Sequence, residues 1–262
     1  MELIDTHCHL DFPVFDADRE ALLTRWRQLG VGEYIIPAVG EENWGRVMAL
    51  AGRHDDIRYG LGIHPWYVGK QPRDVLTRLE TLLASRPRGL VAVGECGLDL
   101  RSHVPQEGQV EMFEAQVRLA MAHALPLIVH SVRANDTVAK ILRRFTPPQG
   151  GVIHAFSGSL HQAEVFWQLG FRLGIGGVIS YERANKTREA IRQMPLEALL
   201  LETDAPDMPL QGQQGEVNTP ASLPTIARLL AQLRQQPLED VISVLHDSTR
   251  RLFPPGNHEI NI

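Results

Sequence analysis

His7 and His9 stand two residues apart at the end of a short apolar stretch, the first point in the chain where chemistry can be read. Side chains alternate along an extended segment, so two imidazoles at this spacing face one side while Cys8 faces the other. Neutral ring nitrogens converging on one point are what a metal ion binds. The pair has company. Other apolar runs also end in ligand-type residues, reading Gly62-Ile63-His64, Val93-Gly94-Glu95, Val129-His130, Ile153-His154 and Glu202-Thr203-Asp204. Five of the eleven histidines therefore fall at the carboxyl ends of expected strands. The other six, His54, His103, His123, His161, His246 and His258, fall in expected helices or loops and read as surface residues. One histidine after a strand is more often a hydrogen-bonded core residue than a ligand. Gathering four or five imidazoles and two carboxylates in one buried place is different, because each uncompensated charge costs several kcal/mol unless a cation joins them. Mixed nitrogen and carboxylate donors without paired thiolates suit Zn, Mn or Mg, and Cys8 and Cys96 read as packing residues.

Residues spread from position 7 to 204 meet only if the fold brings strand ends together. Eight apolar runs, near Leu3–His9, Tyr34–Val39, Arg58–His64, Leu90–Glu95, Leu127–His130, Gly151–Phe156, Arg172–Gly176 and Leu199–Asp204, alternate with amphipathic stretches of helical composition. Those stretches are Asp18–Leu29, Glu42–Arg53, Arg73–Ser85, Gln106–Ala124, Asp136–Phe145, Leu160–Leu169 and Ala184–Met194, with Ala221–Gln235 and Leu238–Leu252 after the last strand. Eight strand-helix units predict an α/β fold of the TIM type, a single-domain (β/α)8 barrel over residues 1–262, whose strands all open onto one face. An open doubly wound sheet would carry a Gly-rich phosphate loop after its first strand, and Thr6-His7-Cys8-His9 is not one. The Pro- and Gly-bearing stretch Ala205–Pro220 follows the last strand and is expected to overhang the mouth.

Composition narrows the partners. A chain of 262 residues with a formal charge of −5 has no broad attraction for nucleic acid or anionic lipid, so a phosphate substrate needs local help. Two cysteines favour a reducing compartment, and no segment approaches the ~18 apolar residues of a membrane span, so the expectation is a cytoplasmic protein without an obligate protein partner.

The ordered blocks Asp5-Thr6-His7-Cys8-His9, Gly62-Ile63-His64-Pro65, Gly94-Glu95-Cys96-Gly97-Leu98-Asp99, His130-Ser131, His154-Ala155-Phe156-Ser157-Gly158, Glu202-Thr203-Asp204-Ala205-Pro206 and Asn218-Thr219-Pro220 span nearly the whole chain. In these blocks the sequence resembles the TatD family of metal-dependent hydrolases, within the amidohydrolase-like barrels, and most of all its YjjV-type bacterial branch. The resemblance implies two divalent ions, with His7, His9 and Asp204 around one, His130 and His154 on the other, and Glu95 bridging. It also implies phosphoester hydrolysis, with deoxyribonuclease activity among relatives. Many cousins bridge their metals with a modified lysine, but Lys70, Lys140 and Lys186 all lie away from expected strand ends. Relatives often place an arginine two positions after the fifth-strand histidine; here Val132 stands there and Arg133 follows. Residues 207–217 carry no Lys or Arg.

The expected chemistry is hydrolysis by a metal-activated water of a phosphoester, such as a DNA 3′ end or a small phosphorylated molecule. Asp204 orients the water and takes its proton, Glu95 and His64 join the catalytic set, and His64 and Arg133 contact substrate. Two alternatives share these residues: a barrel that binds metal or nucleic acid without turnover, and an amidohydrolase acting on C–N bonds.

Overall fold

The computed structural model describes residues 2–254, so His258 lies outside the described residues. Eight parallel strands pair in chain order: β1 (Leu3–Asp5), β2 (Val31–Pro37), β3 (Ile57–Leu61), β4 (Leu90–Asp99), β5 (Leu127–Val132), β6 (Gly151–Ile153), β7 (Phe171–Ile175) and β8 (Leu199–Leu201). Helices α1 (Arg19–Gln28), α2 (Glu41–Arg53), α3 (Val75–Ser85), α4 (Gln106–Ala122), α5 (Asn135–Phe145), α6 (Leu160–Gln168) and α7 (Asn185–Gln193) connect successive strands, and α8 (Leu223–Arg234) and α9 (Leu238–Leu252) follow β8. The ring closes where β1 meets β8. The Thr6 amide and hydroxyl both donate to the Leu201 carbonyl, at 3.0 and 2.9 Å, and the Asp204 amide donates to the His7 carbonyl at 2.9 Å. The fold is therefore the TIM-type barrel that the strand-helix alternation predicts.

Alternation divides the apolar residues into two cores. Leu127 and Val129 of β5 and Leu199 and Leu201 of β8 face the helices, whereas Ile128, Leu200, Ile35 and Val152 fill the barrel with Leu252 and Phe253. Carrying the inward set forward by two residues leads from Ile128 to His130, from Val152 to His154 and from Leu200 to Glu202. Strand β4 breaks this rule. Its register against β5 shifts between Val93 and Cys96, which lets Glu95 enter the site while Cys96 packs in the outer core. Close approach of the two strands needs glycine: a Cβ on Gly97, at φ +138°, would stand 2.0 Å from the His130 carbonyl oxygen.

The regular strands are shorter than expected at the site. β1 ends at Asp5, β3 at Leu61 and β8 at Leu201, so His7, His9, His64 and Asp204 sit on chain just beyond them. Side-chain bonds replace the ladder there. Asp5 accepts from the Thr203 amide at 3.0 Å, the Thr203 hydroxyl at 2.6 Å and the His7 amide at 3.3 Å, clamping the ends of the first and last strands together. The long loop after β8 is held by buried Asn218, whose amide donates to the carbonyls of Thr203 and Asp207 at 2.9 and 2.8 Å.

Candidate metal centre

Glu95 is the hub. Its Oε2 lies 3.3 Å from His7 Nε2 and 3.6 Å from His9 Nε2, and Asp204 Oδ1 approaches the same two nitrogens at 3.5 and 3.7 Å. The other oxygen, Oε1, lies 2.8 Å from His130 Nδ1 and 2.9 Å from His154 Nε2. The two carboxylate oxygens thus face two separate donor groups, one on each side. His64 Nε2 comes within 3.5 Å of Oε1 as well. All of these residues except the fully buried His7 line a cavity of about 530 Å³ at the strand carboxyl ends, whose wall includes Phe12, Trp66, Tyr67, Arg101 and Met208.

Three buried carboxylates that sequence reasoning passed over support these groups. Asp99 Oδ2 lies 3.1 Å from His130 Nε2 and also accepts the Trp66 indole N–H at 2.7 Å. That bond orients the ring with Nδ1 turned to Glu95. Burial alone would raise Asp99, but hydrogen bonds from His130, the Arg101 amide and Trp66 outweigh it and draw its pKa down to about 2. Glu202 stands behind His154, 3.8 Å from Nδ1, and accepts the Ala155 amide. Its carboxylate occupies space that only a glycine leaves, since a Cβ on Gly174 would lie 2.1 Å from Oε2. Asp5 is the third, the clamp described above; burial raises it to about 8. Inward alternation from Leu200 could have found Glu202, and the Gly94–Asp99 block contains Asp99.

The electrostatics are those of a site built for charge. Burial and the neighbouring His154 push His7 well below the usual imidazole range. Burial also opposes protonation of His154, yet Glu95, Glu202 and Asp204 hold it well above that range. These two rings stack at 3.8 Å between centroids. Burial draws His64 down to about 3 and raises Asp204 to about 6. His7 Nε2 is fully buried without a hydrogen-bond partner, although it points at two carboxylates. Buried polar atoms are rarely left so, and a cation among these oxygens and nitrogens is what the donor set fits.

Arg133 is not brought into this arrangement. It is exposed, lies outside the cavity lining and adopts φ +55°, where the chain turns out of β5 toward α5; Val132, one residue earlier, lines the wall. The cation at the cavity is Arg101. Among the described residues, His103 and His161 are exposed and His54, His123 and His246 half-buried; His54 bonds Glu20 at 3.1 Å.

Comparison with known proteins adds the chain's relatives. Residues 4–254 match the family model described as TatD related DNase. The chain belongs to the TatD family. It is 47% identical, over 95% of its length and 97% of the relative's, to the uncharacterized metal-dependent hydrolase YjjV of Escherichia coli. The crystal structure of that TatD homologue superposes with a TM-score of 0.93, covering 96% of this chain and 97% of that one. A 3′-5′ ssDNA/RNA exonuclease TatD from Pantoea ananatis is 30% identical over 96% of this chain and 99% of its own. As a TatD-family barrel with this donor set, the chain is a metal-dependent hydrolase. No helix among its described residues is long and apolar enough to cross a membrane.

Proposed function

We propose that this TatD-family hydrolase cleaves phosphoester bonds, with a nucleic-acid 3′ end or a small phosphorylated molecule as substrate. The observation that carries the reading is the division of Glu95 between two donor groups: His7, His9 and Asp204 would hold one divalent ion and His130 and His154 a second, with Zn, Mg or Mn as candidates. Bound there, such ions lower the pKa of water and neutralise charge on a phosphoryl group.

The chain's own residues supply the rest. Asp204 lies at the cavity wall, and burial raises its pKa toward the working range of a general base, so its carboxylate accepts the proton of the attacking water. Glu95 keeps both donor groups in one place. Its carboxylate stays ionised because the surrounding imidazoles overcome the effect of burial. Arg101 is the arginine in the lining available to a phosphate, and Trp66, Tyr67 and Phe12 give the same cavity an aromatic wall suited to a base or another flat group. One arginine and Asp207 in the lining suit a chain end or a single phosphate better than a long polyanion.

The exonuclease name of the Pantoea relative supports the nucleic-acid arm. Metal-stripped protein should be inactive on bis(4-nitrophenyl) phosphate, single-stranded DNA and phosphomonoesters, and regain turnover on adding Mn, Mg or Zn. Asp204→Asn should lower kcat on the order of 10³-fold while the protein stays folded. Equal turnover without metal would overturn the proposal, and ammonia release from C–N substrates in place of phosphoester cleavage would redirect it to amidohydrolysis.

A further inference from the structure

His64 can be grouped with Glu95 and His130 as a third potential ligand, since suitable atoms of all three lie within 4.8 Å of one another. Its other ring nitrogen decides otherwise. The backbone N–H of Trp66 points at His64 Nδ1 at 3.1 Å, with His64 acting as the N-terminal cap of the short 3-10 helix Pro65–Lys70. A backbone amide only donates, so Nδ1 presents its lone pair, and a neutral ring then carries its hydrogen on Nε2. That nitrogen faces the site, 3.3 Å from His130 Nδ1 and 3.5 Å from Glu95 Oε1. A metal ligand needs a lone pair where this ring presents N–H.

The ring is not free to exchange its ends. The His64 amide donates to the Val39 carbonyl at 2.9 Å, and its carbonyl accepts from Tyr67 at 2.9 Å, fixing the backbone on both sides. Trp66, Tyr67 and His130 meet the imidazole edge-on, at centroid distances of 6.0, 6.1 and 4.4 Å. Turning it over would replace Nδ1 with a carbon and give up the bond from Trp66. His130 makes the contrast plain, because its far nitrogen faces the Asp99 carboxylate, which accepts a hydrogen and so leaves Nδ1 free to ligate.

Resting on the proposed phosphoester reading, we infer that His64 is a fixed N–H donor to a non-bridging phosphoryl oxygen of the substrate and takes no part in holding metal. A preorganised donor beside the donor groups stabilises negative charge as it grows on that oxygen. It also adds a second donor to Arg101, the one Lys or Arg side chain among the described residues of the cavity lining.

The test begins on the zinc-loaded protein with 15N-labelled histidine. Long-range 1H–15N correlation should show His64 with its proton on Nε2 and an unprotonated Nδ1. A zinc-shifted, proton-free Nε2 would overturn the inference. His64→Gln and His64→Ala should retain the parent's zinc stoichiometry and affinity; loss of an ion from the folded variants would again overturn it. Gln can place an N–H near the original Nε2, so with bis(4-nitrophenyl) phosphate kcat should stay within about tenfold of the parent for Gln and fall on the order of 10²-fold for Ala. Equal losses in both would count against donation. Should the alanine variant not fold, the tautomer measurement on the parent and the glutamine variant decide alone. No phosphoesterase activity in the parent would defeat the functional reading instead, while the tautomer and zinc measurements would still judge the ligand question.

Discussion

Two cavities of similar size sit at opposite ends of this barrel, about 530 Å³ at the strand carboxyl ends and about 590 Å³ at the floor. Both are rich in charge. At the floor every acid has a cationic partner: Glu33 accepts from Arg58 Nη2 at 2.9 Å and from Arg250 Nη1 at 2.8 Å, Arg27 holds Asp56, and Arg88 holds Asp55. Arg58 also donates to the Phe253 carbonyl at 2.6 Å, fastening the residue that fills the barrel from below. At the mouth, imidazoles converge on carboxylates, His7 Nε2 has no hydrogen-bond partner, and Asp204 and Ala155 hold left-handed backbone angles. Acids paired with arginines describe a joint, whereas carboxylates ringed by imidazoles form a donor set that fits a cation. Volume does not separate the two ends, and Arg58 Nε at the floor is itself buried without a partner; what differs is that each floor acid has an arginine, whereas the mouth acids face imidazoles.

Substitutions at the two ends should part company accordingly. Glu95→Gln removes the charge shared by both donor groups; we expect turnover to fall by more than about 10³-fold and metal content to drop, with circular dichroism unchanged. Next in size is Asp99→Asn, which weakens the hold on His130 without touching the donor set; metal affinity should fall about 10- to 100-fold by isothermal titration. Metal must also displace the proton that His154 holds above its ordinary value, and His130 is raised in the same direction: burial opposes protonation of each, but their carboxylate partners prevail. Binding should therefore release protons, and affinity should weaken about tenfold per pH unit for each proton released as pH falls through the range where these rings hold them. Calorimetry in buffers of different ionisation enthalpy counts those protons. Glu33→Gln should have the smallest effect on catalysis, leaving kcat and metal affinity within error. It strands Arg58, only 8% exposed, so stability should drop by about 3 kcal/mol, or roughly 10 °C in Tm. Loss of metal binding in that variant would erase the distinction between the ends.

Much of the mouth was legible from residue types and spacing. Alternation carries Ile128 to His130 and Val152 to His154, and apolar runs ending in His or acid mark the strand ends. Glu95 was found through its place after an apolar run and its motif, because β4 abandons regular pairing just before it. Asp99 and Glu202 were missed as supports for a different reason: their roles depend on which ring nitrogen lies against them, and that emerges only when β4 meets β5 and β6 approaches β8. Proximity in sequence did not place Arg133 in the cavity lining. One residue past the strand, a turn of the backbone separates it from the wall that Val132 lines. The floor was silent in the sequence, since Glu33, Arg58 and Arg250 match no spacing rule and meet only through the closed ring.

His7 and His9 follow the first strand and Asp204 the last, so one donor group straddles the seam where the ring is joined by Asp5 and Thr203. A cation held there would act as a rivet. Its binding energy would fall on the joint formed between the most distant parts of the barrel sequence, making loading and circular closure a single thermodynamic event.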